Sequence, residues 1–308
     1  MTSYEPAVRG VCPVLSSTFH DDGGLDGDSF LRLCEFLLST GVHSVMIFGV
    51  ATENAKLDDA ERDLMLRSLV KTRGAMKVTI VATVADHGTD LAVARARKWV
   101  DMGADVINIL PSYFLRPDPS ETLEHLAAIL DSVDVPVIIQ SLPAGGDEVP
   151  VKDILALSHA HHNLSQVKVE NVPATPLVSA IRSFENGKVS ALVGWGGLEW
   201  KEASEAGAVG VQPGCSLTEL YLRAQVFLDI GDSQGFETAF APLRQPLTAW
   251  MRHPEVLIGI EKHILQQRGI IDSSRTRKPS AALAESDYAF ANGLMALLKT
   301  NPGKGVNR

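Results

Sequence analysis

Short apolar runs alternate with longer amphipathic segments along most of the chain. Runs of this length suit strands that are buried on both faces, and the longer segments carry apolar residues at helical spacing. The predicted strands are Gly10–Ser16, Ser44–Phe48, Lys77–Val84, Asp105–Leu110, Val135–Gln140, Ser165–Val169, Lys188–Val193 and Ala208–Gln212. The predicted helices between them are Ser29–Leu38, Asp59–Lys71, Asp90–Met102, Pro119–Ser132, Val151–His159, Ala174–Ser183 and Leu198–Ala206, with an eighth beginning near Leu217.

Eight strand–helix pairs without a domain-sized linker predict a (β/α)8 TIM barrel. An open doubly wound sheet is the alternative, but no G-x-G-x-x-G motif follows the first strand. Gly41, Gly103 and Gly207 follow helical segments where C-terminal caps are expected. Four helices are predicted after the eighth strand: Glu219–Asp229, Gly235–Met251, Pro254–Arg268 and Ser286–Leu298. We therefore expect the barrel strands and helices in 1–216, and the eighth helix with a C-terminal helical extension in 217–308, as a single structural unit.

Composition and charge narrow the function classes. The 308-residue chain is 45% hydrophobic and has a net charge of −9, without a compensating cluster of Lys and Arg. This balance argues against a nucleic-acid partner. No stretch is typical of a membrane span, and the N-terminus lacks the features of a signal peptide. Three widely spaced cysteines give neither a disulfide framework nor a metal motif. The expectation is a cytoplasmic protein with no metal and no cofactor.

Lys168 is the most informative residue, because it lies between valines in a strand predicted to be buried on both faces. A buried ammonium group loses hydration unless it is paired or gives up its proton. A desolvated lysine is typical of enzymes that attack a carbonyl carbon to form an imine. Alternatively, Lys168 pairs with Glu170 or extends to solvent at the strand end.

Several segments resemble one family when they are taken in order. They are Gly10–Val14, Phe19–Asp26, Phe48–Arg62, Ile109–Pro117, Val135–Pro143 and Lys168. In order and spacing they resemble the dihydrodipicolinate synthase / N-acetylneuraminate lyase family of imine-forming aldolases. The resemblance implies a homo-oligomer, a dimer or tetramer, that binds a small 2-oxo acid. It also places Lys168 where the family keeps its imine-forming lysine.

The chain departs from the family pattern at several positions. The family's Gly-Thr-Thr-Gly-Glu loop aligns with Gly49–Glu53, so the resemblance leaves the backbone N–H groups of Ala51 and Thr52 to hold the substrate carboxylate. Tyr113 and Phe114 match the family's tyrosine pair, and the relay tyrosine falls on Phe114. The carboxylate-gripping arginine of the synthases aligns with Gly145.

Gln140 aligns with the tyrosine that serves the family as an acid/base. An amide does not titrate near neutral pH, so Gln140 is predicted to act in catalysis only by hydrogen bonding. Dihydrodipicolinate synthase activity itself is therefore not expected. Protons must come from a bound water, from the substrate, or from Glu170, Glu199 or Tyr113.

The remaining candidates lie in three loops. Trp195 and Gly196, after the seventh strand, are predicted to line the substrate site or to form a tight packed loop. Asp86–His87 follows the third strand at the face where barrel active sites lie. The basic segment Ser274–Pro279 is predicted to be a solvated loop.

The leading hypothesis is a cofactor-free lyase that forms a lysine imine with a pyruvate-type 2-oxo acid and cleaves or forms a C–C bond. A 2-keto-3-deoxy acid dehydratase that uses the same imine is the first alternative. The second is a non-catalytic small-molecule-binding protein on an aldolase scaffold, because fold alone does not specify chemistry.

Overall fold

A computed structural model describes residues 5–112, 114, 117–141, 149–184 and 188–300. By contacts between residues, the chain divides into two compact units. Unit 1 comprises Met1–Cys12 and Thr79–Gln212, and unit 2 comprises Pro13–Val78 and Pro213–Arg308. The division of the sequence at 216/217 stays a prediction.

Strands and helices alternate as the hydrophobic pattern predicts. The strands are β1 Gly10–Val11, β2 Ser44–Ile47, β3 Thr79–Val84, β4 Val106–Ile109, β5 Val137–Ser141, β6 Leu164–Val169, β7 Ser190–Val193 and β8 Gly210–Val211. The helices are α1 Gly27–Ser39, α2 Asp59–Arg73, α3 Thr89–Asp101, α4 Pro119–Leu130, α5 Val151–Ala156, α6 Thr175–Ser183, α7 Trp200–Ala206, α8 Thr218–Asp229, α9 Ser233–Trp250, α10 Pro254–Gln267 and α11 Glu285–Thr300. The element order is that of a (β/α)8 TIM barrel with a C-terminal helical extension, as predicted.

Unit 1 contains seven of the strands in one parallel sheet. Its spatial order is β3-β4-β5-β6-β7-β8-β1, so strands that follow one another in the sequence are neighbours. All six residues of β6 are buried, and nearly all residues of the flanking strands are buried as well. This burial explains why the strands appear in the sequence as continuous apolar runs.

Unit 2 contains β2 and the helices α1, α2 and α8–α11. Helix α8 packs against α9, and α1 packs against α2. Phe236 and Phe240 stack at 5.3 Å between ring centroids, and Trp250 is fully buried on the same helix, α9. The apolar faces of the C-terminal helices therefore form a core of their own.

Local signals explain where the elements begin and end. Asp118 and Glu121 form a capping box around Pro119 at the start of α4, as the sequence predicts. Seven of the eight strands are shorter than predicted, and β1 and β8 differ most: β1 ends at Val11 and β8 at Val211, with two residues each. Pro13 and Pro213 have no N–H to donate to a ladder, which limits both strands.

None of the helices in the described part of the chain combines the length and the apolar character that a bilayer crossing needs.

Candidate active site

Lys168 lies one residue before the end of β6 and is only 6% exposed. It pairs in register with Gln140 of β5 and with Leu192 of β7. Its ammonium group is 3.0 Å from the Glu170 carboxylate oxygen Oε1. The lysine is therefore both buried and paired, and its partner is two residues further along the chain, as one of the alternatives from the sequence expects.

Gln140 connects this ion pair to the interior of the sheet. Its Nε2 donates to Glu170 Oε1 at 2.9 Å, and its Oε1 accepts from Asn108 Nδ2 at 3.3 Å. Asn108 also approaches Thr83 Oγ1 at 3.4 Å. A side chain held at both ends has a fixed direction, so Gln140 orients the Glu170 carboxylate.

The turn after β7 holds the second carboxylate oxygen and the backbone carbonyl of Glu170. The Trp195 N–H donates to Glu170 Oε2 at 3.0 Å, and the Trp195 indole N–H donates to the Glu170 carbonyl oxygen. Trp195 and Gly196 both have positive φ, 48° and 60°, which aims the indole back at β6. These residues thus fix Glu170. Their contact with substrate stays a prediction.

Gly194 has no room for a side chain. A Cβ built on it would lie 1.9 Å from Glu170 Oε2, so the carboxylate lies directly over this glycine. Glycine is required here by close approach, since the φ of Gly194 is −94°.

Gly194→Ala is therefore expected to displace Glu170 and to lower turnover by about 100-fold, the usual effect of a shift of about 1 Å at a reacting group. Steady-state kinetics and a thermal melt measure the two consequences, lost activity and retained fold. Gly27→Ala is the matched control, because a Cβ there meets nothing within 4 Å. Equal activity of both variants would show that the position of Glu170 does not matter.

The predicted carboxylate-binding turn lies in unit 2 and is described separately. Val50–Thr52 forms a 3-10 turn in which Ala51 and Thr52 are buried. The Thr52 N–H donates to the Gly49 carbonyl at 3.1 Å, and its hydroxyl donates to the Leu15 carbonyl at 2.6 Å. The backbone N–H and the hydroxyl of Thr52 therefore both donate hydrogen bonds within unit 2. The Ala51 N–H makes no such bond within the described residues, so it is the better-placed donor of the two.

Glu53, directly after this turn, is buried and has left-handed backbone angles. Its carboxylate accepts from Ser17 Oγ at 3.1 Å, from Lys56 Nζ at 3.2 Å and from the Arg277 N–H at 3.0 Å. It also pairs with Lys262, whose side chain is fully buried. Glu53 therefore braces the loop in which it lies.

Sequence reasoning missed the cations of this network. The prediction of a solvated loop at Ser274–Pro279 is wrong for Arg277, which pairs with Glu61 and lies 4.2 Å from the centroid of the Phe19 ring. Lys262 lies at the same distance from that ring and donates to the Arg275 carbonyl at 2.9 Å. Only a polar residue within an apolar helical pattern could have signalled Lys262.

The other predicted site residues either bond to structural partners, are exposed, or lie outside the described residues. Asp86 forms a two-point ion pair with Arg95, at 2.8 and 3.0 Å, and Glu199 accepts from the Ala174 N–H. Phe114 is 77% exposed. Tyr113 and Gly145 lie outside the described residues, so the predictions made for them stand as they were.

The buried thiols of Cys34 and Cys215 are poor nucleophiles. Burial raises the pKa of Cys34, and it raises the pKa of Cys215 to about 12, so both thiols stay protonated at neutral pH. Within the described ranges, no three His, Cys, Asp or Glu side chains converge as metal ligands.

Comparisons with known proteins give the family of the chain and its relatives. The model of the dihydrodipicolinate synthetase family matches residues 7–299. The chain is 25% identical to an L-2-keto-3-deoxyarabonate dehydratase of Azospirillum brasilense, over 92% of each protein. It is 30% identical to a 4-hydroxy-tetrahydrodipicolinate synthase of Stenotrophomonas maltophilia, over 61% of this chain and 63% of that protein. The crystal structure of dihydrodipicolinate synthase from Rhodopseudomonas palustris superposes with a TM-score of 0.85 at 24% identity, covering 94% of this chain and 98% of that one.

The fold and a buried lysine at the end of the sixth strand define the class, a (β/α)8 barrel of the aldolase type. The match over nearly the whole chain is more specific. The protein belongs to the dihydrodipicolinate synthetase family.

Proposed function

We propose that this protein is a lyase in which Lys168 forms an imine with the C2 carbonyl of a 2-oxo acid. The observation that carries the proposal is the Lys168–Glu170–Gln140 arrangement: a buried amine, 3.0 Å from a carboxylate that a neighbouring amide holds in place. Family membership supports it. No step requires a bound cofactor.

The carboxylate gives the amine a partner for proton transfer. Glu170 takes a proton from the Lys168 ammonium, and the neutral amine attacks C2. The carbinolamine then loses its hydroxyl as water, with Glu170 returning the proton, and a protonated imine remains. This imine withdraws electrons from C3 and so acidifies the C3–H bond.

Of the two reactions open to this imine, we propose elimination of water rather than C–C cleavage. Glu170 removes a C3 proton, and the electron pair forms the enamine. The enamine expels the C4 hydroxyl, which leaves as water with the proton held on Glu170. Proton shifts convert the unsaturated imine to a C5 carbonyl compound, and hydrolysis frees Lys168 and a 2,5-dioxo acid. The dehydratase relative supports this choice, since its name states a 2-keto-3-deoxy acid as substrate.

Product analysis tests the choice. Incubation with a 2-keto-3-deoxypentonate should yield a 2,5-dioxo acid and no pyruvate. Pyruvate with an aldehyde would instead identify an aldolase. If no 2-oxo acid in a panel turned over, and ligands still raised the melting temperature of Lys168→Met, the protein would be a binding protein.

Replacing the proton carrier should have a larger effect than replacing its support. Glu170→Gln is expected to lower kcat by about 10²- to 10⁴-fold, the usual contribution of a positioned acid/base. Gln140→Ala is expected to lower it by about 10- to 100-fold, as loss of one positioning hydrogen bond would. Single-turnover kinetics compare the two. A larger loss in Gln140→Ala would reverse the roles assigned here.

The proposals for the oligomeric state, the location and the remaining substrate-binding residues rest on the family resemblance. We propose a homo-oligomer of two or four chains and a cytoplasmic location, with Ala51, Thr52, Tyr113 and Phe114 contributing to substrate binding. Neither nucleic acid nor membrane is a proposed partner.

A further inference from the structure

Gln212 lies on the same face of the unit 1 sheet as Lys168. Lys168 pairs with Leu192, and Leu192 pairs with Gly210, so these three residues point to one side. Gln212 follows Gly210 by two residues and therefore points to that side as well. Its N–H donates to the Val193 carbonyl at 2.9 Å, which extends the ladder by one level.

Glu170 and Gln212 occupy this same level on either side of Gly194. The Gly194 N–H donates to the Val169 carbonyl at 2.9 Å, which aligns Gly194 with the residue after β6. Since the Glu170 carboxylate lies over Gly194, it leans toward the strand that carries Gln212. Gly194 itself has no side chain that could separate the two.

The amide of Gln212 is poorly satisfied. It is 4% exposed, and the one hydrogen bond of its Nε2 within the described residues goes to the Cys12 sulfur, a weak acceptor, at 3.6 Å. Its Oε1 is buried and has no hydrogen-bond partner within the described residues. Turning the amide over would leave Nε2 without a partner instead.

A second buried glutamine on the same face shows the contrast. Gln166 on β6 accepts from the Val8 N–H and donates to the Val8 carbonyl, both at 2.9 Å, and donates to Ser190 at 3.1 Å. Gln166 is therefore a structural residue. A buried amide without such partners destabilises the fold unless another molecule supplies them.

We propose that Gln212 binds a hydroxyl group of the substrate beyond C3, which makes the substrate a 2-keto-3-deoxy sugar acid with a neutral polyhydroxylated tail. A hydroxyl can donate to Oε1 or, with the amide turned over, accept from Nε2, so it satisfies the unpaired atom in either orientation. A carboxylate can only accept, so it fits one orientation, and an aromatic ring fits neither. The proposal therefore favours a neutral hydroxylated tail over an aromatic or a charged one. It rests on the proposed function and adds a specificity-determining residue to it.

Gln212→Met tests the proposal, because methionine keeps the length of the side chain and removes its polar atoms. Half-saturation of borohydride trapping measures binding of two acids, pyruvate and a 2-keto-3-deoxypentonate. The variant should bind the hydroxylated acid about 10- to 100-fold more weakly, with KM rising more than kcat falls, and should bind pyruvate as the wild type does. Its melting temperature should equal or exceed that of the wild type.

Gln166→Met is the matched control and should melt at a lower temperature, because it loses the bonds to Val8. Equal weakening toward both acids, or a fall in melting temperature like that of Gln166→Met, would overturn the role of Gln212. Failure of the proposed function is read separately, as the absence of any adduct in the wild type. In that case the rise in melting temperature that each acid causes still measures its binding. If the hydroxylated acid raised the melting temperature of Gln212→Met as much as that of the wild type, the proposal would be overturned.

Discussion

Lys168→Met is expected to lower turnover of a 2-oxo acid by about 10⁴-fold or more. Without the amine no imine forms, and the C3 carbanion loses its electron sink. The Glu170 carboxylate would keep the hydrogen bonds from Gln140 and from the Trp195 N–H, so the fold should tolerate the change. Steady-state kinetics together with a thermal melt check both statements.

Lys188→Met is the control for this variant. Lys188 is an exposed lysine just before β7, in the same unit, and its replacement should leave kinetics unchanged. If Lys168→Met kept more than about a tenth of wild-type activity, the nucleophile would have to be another group.

The second large effect concerns stability. Glu53→Gln should lower the free energy of unfolding by about 3–5 kcal/mol at pH 7, because it leaves the buried Lys262 ammonium without its counter-charge. Chemical denaturation measures the change. Glu237→Gln is the control: its ion pair with Arg244 is about one-third exposed and should contribute less than about 1 kcal/mol. Similar losses in the two variants would contradict the account of this network.

The free energy of unfolding that Glu53→Gln loses, its stability deficit, should also depend on pH. Burial lowers the pKa of Lys262 from 10.5 to about 8, even though Glu53 acts to raise it. Because the unfolded lysine keeps its proton up to about 10.5, Lys262 makes the folded state more stable as pH rises from about 8 to 10.5. Without Glu53 the pKa falls further. The deficit of Glu53→Gln should therefore shrink as pH approaches 8 and stay constant above it.

Much of the fold followed from hydrophobic periodicity. Strands such as β6 are buried on both faces, and α4 begins at a capping box, so each is encoded by adjacent residues. Strand ends were less predictable at β1 and β8, where a proline limits the ladder.

The interactions of the site residues also divide into those that adjacent residues indicate and those that depend on the fold. Lys168 and Glu170 could be proposed as partners because they are two residues apart. The bond between Gln140 and Glu170 depends on the register of β5 with β6, which includes an irregularity between Val137 and Ile138. The pairing of Glu53 with Lys262 joins residues far apart in the sequence, so no local pattern indicates it.

Reductive trapping tests the central claim most directly. The wild-type protein is incubated with pyruvate or with a 2-keto-3-deoxypentonate, reduced with borohydride and digested, and the peptides are weighed by mass spectrometry. The account predicts that the peptide containing Lys168 gains the mass of the acid minus one oxygen atom, and that Lys168→Met gains nothing. An adduct on any other lysine, or no adduct with either acid, would contradict it.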